Sequence, residues 1–297
     1  MMGQRMFHRK KRNRYSIAGC LLLLPGFVGV LTFAVYPFGK AMFYSLHRGL
    51  ENGRFVGLDN YADLFSNAAF LHALQNSFRF YLIALPLILL LPLIPAILFA
   101  RYPLISACLD FTAYAMILCA GASLMTFTNL LVGEHGMFSD AIAGFFSIEA
   151  DRLYDSEFAF VLLILLYLYR YGGFNYLLYL SALRQIPVEY YEEAVINGAG
   201  WHHILWYITL PSLRPTAAAV LTLSVLHSYH LYQEAFQIGG YYPHDSIYLL
   251  QHFMNNNFVS MNYNRLCCVS VMILLFTVLL STFIYLAVRI FTRRLSR

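Results

Sequence analysis

Two clusters of polar side chains interrupt the apolar runs of this chain, and both have residue types and spacings that could hold a solute. Arg170 stands in the middle of an otherwise uncharged stretch, with Tyr167, Tyr171 and Phe174 on its side of a helix at spacings i−3, i+1 and i+4, and Asn175 next along. A guanidinium at the centre of a bilayer costs at least about 2.5–3.5 kcal/mol on insertion scales, which directs it to the protein interior or to a wet cavity. There it can clamp a carboxylate or phosphate through two N–H groups, beside rings that stack on flat ligand faces. Pairing with another helix or a backbone carbonyl is the competing role, and the sequence leaves both open.

The second cluster holds Ser224, His227, Ser228, His230, Gln233, Glu234 and Gln237. At helical spacing Ser224, His227 and Glu234 form one stripe, with His230 and Gln237 beside it. Such a stripe can wall a cavity or hydrogen-bond across helices. The pattern HxxHxxxE also invites a metal, but further ligands from other helices would be required and no second cluster offers them. The expectation is no metal site. Asp110, near a span end, reads as a surface carboxylate or a partner for a basic group such as Arg101.

The elements that must position these groups are membrane helices. Hydrophobic residues make up 60% of the 297-residue chain and charged residues 12%, against about 45–50% and about 25% in soluble domains. Six runs are long enough to span: about 16–37, 78–100, 104–131, 158–181, 216–238 and 266–289. Pro86, Pro92 and Pro95 predict a kink in the second. The fold class expected is all-α, polytopic, with about six transmembrane helices. The domain plan is a basic N-terminus at 1–15, one transmembrane domain at 16–291 and a tail at 292–297. Residues 15–39 carry no charge, longer than a signal h-region, and read as an uncleaved first span. The five cysteines (Cys20, Cys108, Cys119, Cys267, Cys268) lie in apolar runs without a CxxC pair and read as small hydrophobes.

Basic residues concentrate at 1–15, near Arg101, at 182–215 and at 290–297. The positive-inside rule then places both termini and the 182–215 loop in the cytoplasm. The net charge of +5 accordingly reads as membrane orientation, with no nucleic-acid partner and the lipid bilayer as surroundings. The loop itself, Ala182 to Thr216, is polar and rich in helix breakers. A helix is expected over about 187–197, with Pro187 in its first turn, ending at Asn197-Gly198. A second piece is expected over about 200–209, stopping before Pro211. Two short helices joined by Ala194, Gly198, Ala199 and Gly200 make a knob of little bulk. On these grounds alone it could dock into a protein groove or lie on the membrane as a connector anchored by Trp201, Trp206 and Tyr207.

The residues of this loop resemble the EAA loop of bacterial ABC importer permeases. The triplet is Glu192-Glu193-Ala194, Gly198 follows after three residues, and Ile208-Thr209-Leu210-Pro211 matches the hydrophobic-x-LP ending. Further matches follow in order along the chain and resemble the carbohydrate branch: Phe55-Val56-Gly57-Leu58-Asp59-Asn60-Tyr61; Gly173-Phe174-Asn175 with Ala182-Leu183 and Ile186-Pro187; and Gly239-Gly240 with Pro243. The maltose, glycerol-phosphate and polysaccharide permeases are the similar systems.

The resemblance implies a permease subunit of an importer in the bacterial cytoplasmic membrane, moving an oligosaccharide or sugar derivative, possible acidic sugars included. It implies as partners a second homologous permease, two ATPase subunits and an extracytoplasmic solute-binding protein. Glu192, Glu193, Ala194, Asn197, Gly198, Ala199, Leu210 and Pro211 would form the ATPase-coupling loop. The candidate solute path is Tyr167, Arg170, Tyr171, Phe174, Asn175, Ser224, His227, His230, Gln233 and Glu234. Two positions depart from the family pattern: Glu193 stands where Ala is usual and Asn197 where Asp is frequent. No GxxxxGK[ST] phosphate cradle occurs, so the chain is not expected to be an enzyme or to hold a cofactor, with ATP and Mg bound by the partner ATPases. An importer permease for a non-sugar solute is the alternative. A secondary transporter would call for paired repeats and broken helices, and a membrane enzyme for a second polar cluster.

Overall fold

The computed structural model describes residues 19, 21–49, 53–100, 102–118, 121–133 and 136–295. The basic segment 1–15, Arg101, Cys20, Cys119 and Arg297 lie outside them. The chain divides into two compact units, residues 1–64 with 261–272, and 65–260 with 273–297. The helices in order are α1 (Leu21–Ser45), α2 (Asp59–Phe65), α3 (Ala68–Phe99), α4 (Pro103–Leu118), α5 (Gly121–Val132), α6 (Ser139–Phe146), α7 (Phe158–Arg184), α8 (Val188–Ile196), α9 (Trp201–Ile204), α10 (Leu210–Ser228), α11 (Tyr232–Gly239), α12 (Leu250–Val259) and α13 (Tyr263–Leu295). Among the described residues the one sheet is a two-residue ladder, β1 (His47–Arg48) antiparallel to β2 (Arg54–Phe55). The protein is all-α, and the described residues hold five helical stretches long and apolar enough to cross a membrane, or six if the bent pair α4–α5 counts as one.

In the first unit the end of α1 is tied down carbonyl by carbonyl. A helix leaves its last four C=O groups without helical partners. Here Met42 O accepts from Ser45 Oγ at 2.7 Å, and Phe43 O from the Leu46 N–H at 3.1 Å. Tyr44 O accepts from Asn264 Nδ2 at 3.0 Å, and Ser45 O from Asn60 Nδ2 at 2.9 Å. Tyr61 OH adds a bond to Ser45 Oγ at 2.9 Å. Asn60 and Tyr61 belong to the FVGLDNY stretch, whose work in this fold is therefore to cap a membrane helix. Gly57 in the same stretch has φ +60°, a turn conformation that suits glycine.

In the second unit α7 is the central helix: 56% of its apolar window is buried, against 22% in α3. Its N-terminal half packs Ala159, Leu162, Leu163, Leu166 and Tyr167 into a core with Phe80, Ala84, Ile88, Leu231, Ala235 and Ile247. Its C-terminal half packs Tyr176, Tyr179, Leu180 and Leu183 with Ala96, Ala113, Leu213 and Val220. At Gly173 an added Cβ would stand 2.8 Å from Ala113 O, so glycine is what lets α4 approach α7 this closely.

Two expectations about the helices are corrected. The third run, expected as one helix over 104–131, is the pair α4 and α5 bent by 100°. Leu124 and Met125 of α5 lie in the buried core that also holds Ala235. The piece expected to stop before Pro211 does not stop. Residues Trp201–Gly239 form one long helical stretch containing a π-turn at Leu205–Thr209 and a 3-10 turn at Tyr229–Leu231. Ser212 Oγ donates to Ile208 O at 2.7 Å and Pro211 sits in the first turn of α10, where its missing N–H does little harm. Asp110 pairs with a basic group, as one of its two readings expected: Arg184 of α7 lies at 3.3 Å, and Asp110 also accepts from Tyr176 OH at 3.3 Å. Pro86, Pro92 and Pro95 all lie inside α3, which continues through them.

Beyond α11 the chain turns sharply at Gly239-Gly240. Gly240 has φ +66°, and a Cβ on Gly239 would overlap Pro243 Cβ at 2.3 Å, so both glycines are required. The turn leads to α12 and to His252, 1% exposed, with its ring between Tyr232 at 4.9 Å and Tyr248 at 5.9 Å. Burial pushes the imidazole down to about 4. The folded value lies below the ordinary ~6.5 of an unfolded His, so the unfolded chain binds the extra proton first. Stability is therefore full above pH ~6.5 and falls as pH drops from there through about 4, by on the order of 2–3 kcal/mol in all. Thermal unfolding followed between pH 7.5 and 4.5 should show this loss, and His252→Phe should flatten it. An unchanged slope in the variant would remove His252 as its source.

Candidate functional site

The break in the long helix organises the first site. Between α10 and α11 the chain tightens into a 3-10 turn at Tyr229–Leu231. Such a turn inside an apolar helix displaces backbone bonds, and in lipid the freed groups need protein partners. Tyr167 OH donates to Ser224 O at 2.7 Å, and Ser228 Oγ donates to Val225 O at 2.7 Å. Asn175 Nδ2 donates to Ser224 Oγ at 3.1 Å. Tyr167, Asn175 and Ser224 are fully buried. These three serve to hold α10 on α7 just before the break.

The break then directs the polar groups of the two helices at each other. His227 stacks on Tyr171 with ring centroids 4.4 Å apart and planes 11° apart, while Phe174 meets it edge-on at 5.8 Å. Past the turn, Glu234 is 1% exposed and its Oε1 accepts from Arg170 Nη1 across the α7–α11 contact. Arg170 also lies over the Tyr171 ring, 5.4 Å from its centroid. Of the two roles open for Arg170, this structure shows the pairing with another helix. His230, Gln233 and Gln237 point the other way and are exposed. The stripe of Ser224, His227 and Glu234 is the more buried set, and His230, Gln233 and Gln237 beside it are exposed. Arg170 and Glu234 both stand out in the sequence, but with 64 positions between them nothing in it marks them as a pair.

The second site is the loop after α7. Helix α8 begins after Pro187 and ends at Asn197. Gly198 follows at φ +78°, its N–H donating to Val195 O at 2.9 Å, and the Ala199 N–H reaches back to Ala194 O at 2.9 Å. This pair of bonds is the Schellman ending of a helix, which needs a left-handed residue where Gly198 stands. Asn197 Nδ2 adds a bond to Glu193 O at 2.8 Å. Ala194, Asn197, Gly198 and Ala199 are therefore one cap. Glu192, Glu193, Asn197 and Gly198 are exposed, Ala194 and Ala199 partly so. Leu210 and Pro211 lie apart from the cap, at the start of α10.

Comparison with known proteins fits this geometry. The family model described as "Binding-protein-dependent transport system inner membrane component" matches residues 68–297. The arabinooligosaccharides transport system permease protein AraP of Halalkalibacterium halodurans is 27% identical over 231 residues, 75% of this chain and 72% of that protein. The lactose transport system permease protein LacF of Rhizobium radiobacter is 25% identical, over 76% of this chain and 77% of its own. The sn-glycerol-3-phosphate transport system permease protein UgpA of Escherichia coli is 27% identical, over 70% and 72%. Among solved structures, a chain of a bacterial alginate ABC transporter, in complex with an alginate pentasaccharide-bound periplasmic protein, superposes with a TM-score of 0.78 at 16% identity, covering 97% of this chain and 98% of that one.

Proposed function

This chain belongs to the family of inner membrane components of binding-protein-dependent transport systems, and on that premise we propose that it forms half of the translocation path of an ATP-driven importer for carbohydrate. It is a multi-pass membrane permease. The solute class rests on the relatives named for arabinooligosaccharide and lactose transport. The observation that carries the reading is the broken helix α10–α11 set against α7. It presents stacked rings at Tyr171 and His227 next to the open polar groups His230, Gln233 and Gln237. Rings and neutral hydrogen-bonding groups suit a sugar, which has apolar ring faces and a rim of hydroxyls.

The exposed cap formed by Glu192, Glu193, Ala194, Asn197, Gly198 and Ala199 would enter a cleft of a separate ATPase subunit. ATP-driven closure of two such subunits would rock this chain against a second permease. An extracytoplasmic binding protein would deliver the solute, with both termini of this chain in the cytoplasm. ATP and Mg would be held by the ATPase subunits.

Affinity purification of a tagged copy from its own host tests this. A second permease and two ATPase copies should co-purify, and the reconstituted complex should import labelled oligosaccharide only with ATP inside and binding protein outside. A chain that purifies alone and transports by itself down an ion gradient would overturn the proposal in favour of a secondary transporter.

A further inference from the structure

A free arginine in a sugar path would point to an acidic saccharide, but Arg170 is not free. Its guanidinium is bonded to Glu234, which is buried to 1% exposure. Its charge is already balanced by Glu234, so a uronate or phosphate on its remaining N–H groups would bring a second negative charge beside a buried carboxylate with no further cation to offset it, which is disfavoured. The other cations described on α3 and α7 are also engaged, Arg79 with Glu157 at 3.1 Å and Arg184 with Asp110 at 3.3 Å.

The polar atoms left over tell the same story. Around the break, Asn175 Oδ1, Glu234 Oε2 and His227 Nδ1 are buried without a hydrogen-bond partner. The first two are acceptors only, and the imidazole nitrogen can be one. A carboxylate brought near such acceptors would meet no donor there, whereas a hydroxyl carries its own hydrogen. The open side adds an imidazole and two carboxamides, none with a permanent charge. We infer that the half-path lined by this chain takes a neutral, hydroxyl-rich saccharide and discriminates against uronate- or phosphate-bearing ones. This rests on the carbohydrate reading above and narrows it.

The importer, purified through this chain with its co-purifying subunits and without binding protein, is dialysed against two radiolabelled probes. One is a neutral pentasaccharide and the other an oligouronate of the same length. The neutral probe should bind roughly tenfold tighter or better, a gap of about 1.4 kcal/mol. Glu234→Gln leaves the Arg170 charge without its partner and should shift the ratio toward the oligouronate. Adding Arg170→Gln to it removes both charges and should shift the ratio back. A wild-type preference for the oligouronate, or a ratio that Glu234→Gln does not move, overturns the inference. The wild-type ratio decides alone should the single variant fail to assemble. If neither probe binds while the same complex imports a non-saccharide solute, the carbohydrate reading itself falls, and this inference with it.

Discussion

Replacing Arg170 with glutamine destabilises the protein by about 3–5 kcal/mol, the range found when one partner of a buried ion pair is removed. The reason is the asymmetry of the pair. Arg170 retains 23% side-chain exposure while Glu234 has 1%, so loss of the arginine strands the more deeply buried charge. The Glu234 carboxylate would keep its cost of burial and lose its compensation. The double variant Arg170→Gln, Glu234→Gln should recover most of the loss, because two carboxamides can bond to each other with no charge to solvate. Unfolding of the detergent-purified protein, read as a midpoint shift in each variant, measures this. A single variant within 1 kcal/mol of wild type, or a double variant no better than the single, would show that the pair carries little.

The second large effect is expected at Gly198. Its φ of +78° is the left-handed conformation on which the Schellman cap depends. A β-branched side chain there is strained by about 1–2 kcal/mol. Gly198→Val should therefore unwind the end of α8 and lower solute-stimulated ATPase activity of the reconstituted complex by roughly tenfold. Gly198→Asn separates backbone shape from docking. Asparagine tolerates the left-handed region, and nothing in this chain lies within 4 Å of the added Cβ. Full activity in Gly198→Asn means that only backbone shape matters. Loss in Gly198→Asn with the fold intact means that another protein packs against this surface. Normal coupling in both variants would sink the docking role.

The long apolar runs, the short helix α8 and its ending at Asn197-Gly198 were legible because each depends on local chemistry. Apolar length selects membrane helices, and only a residue tolerant of positive φ ends a helix in this way. The polar residues of the path were legible too, since charge and amide groups stand out against an apolar background. Their partners were not. Hydroxyl groups of Tyr167 and Ser228 hold the α10 carbonyls near the 3-10 turn, and Tyr167 lies 57 residues from its acceptor in sequence. No periodicity reports such a bond. The same holds for the 100° bend between α4 and α5, past which Leu124 and Met125 lie in a buried core.

By itself, then, the sequence determined that this protein is a bundle of membrane helices with a capped, breaker-rich knob and polar groups within its apolar runs, because hydropathy, breakers and caps act over a few residues. The tertiary structure alone decided what those polar groups do. Ion pairing and ring stacking depend on which helix faces break toward each other, and that depends on packing between segments far apart in the chain. Arg170 alone is a candidate grip for an acidic ligand; set against Glu234 it is a charge already balanced.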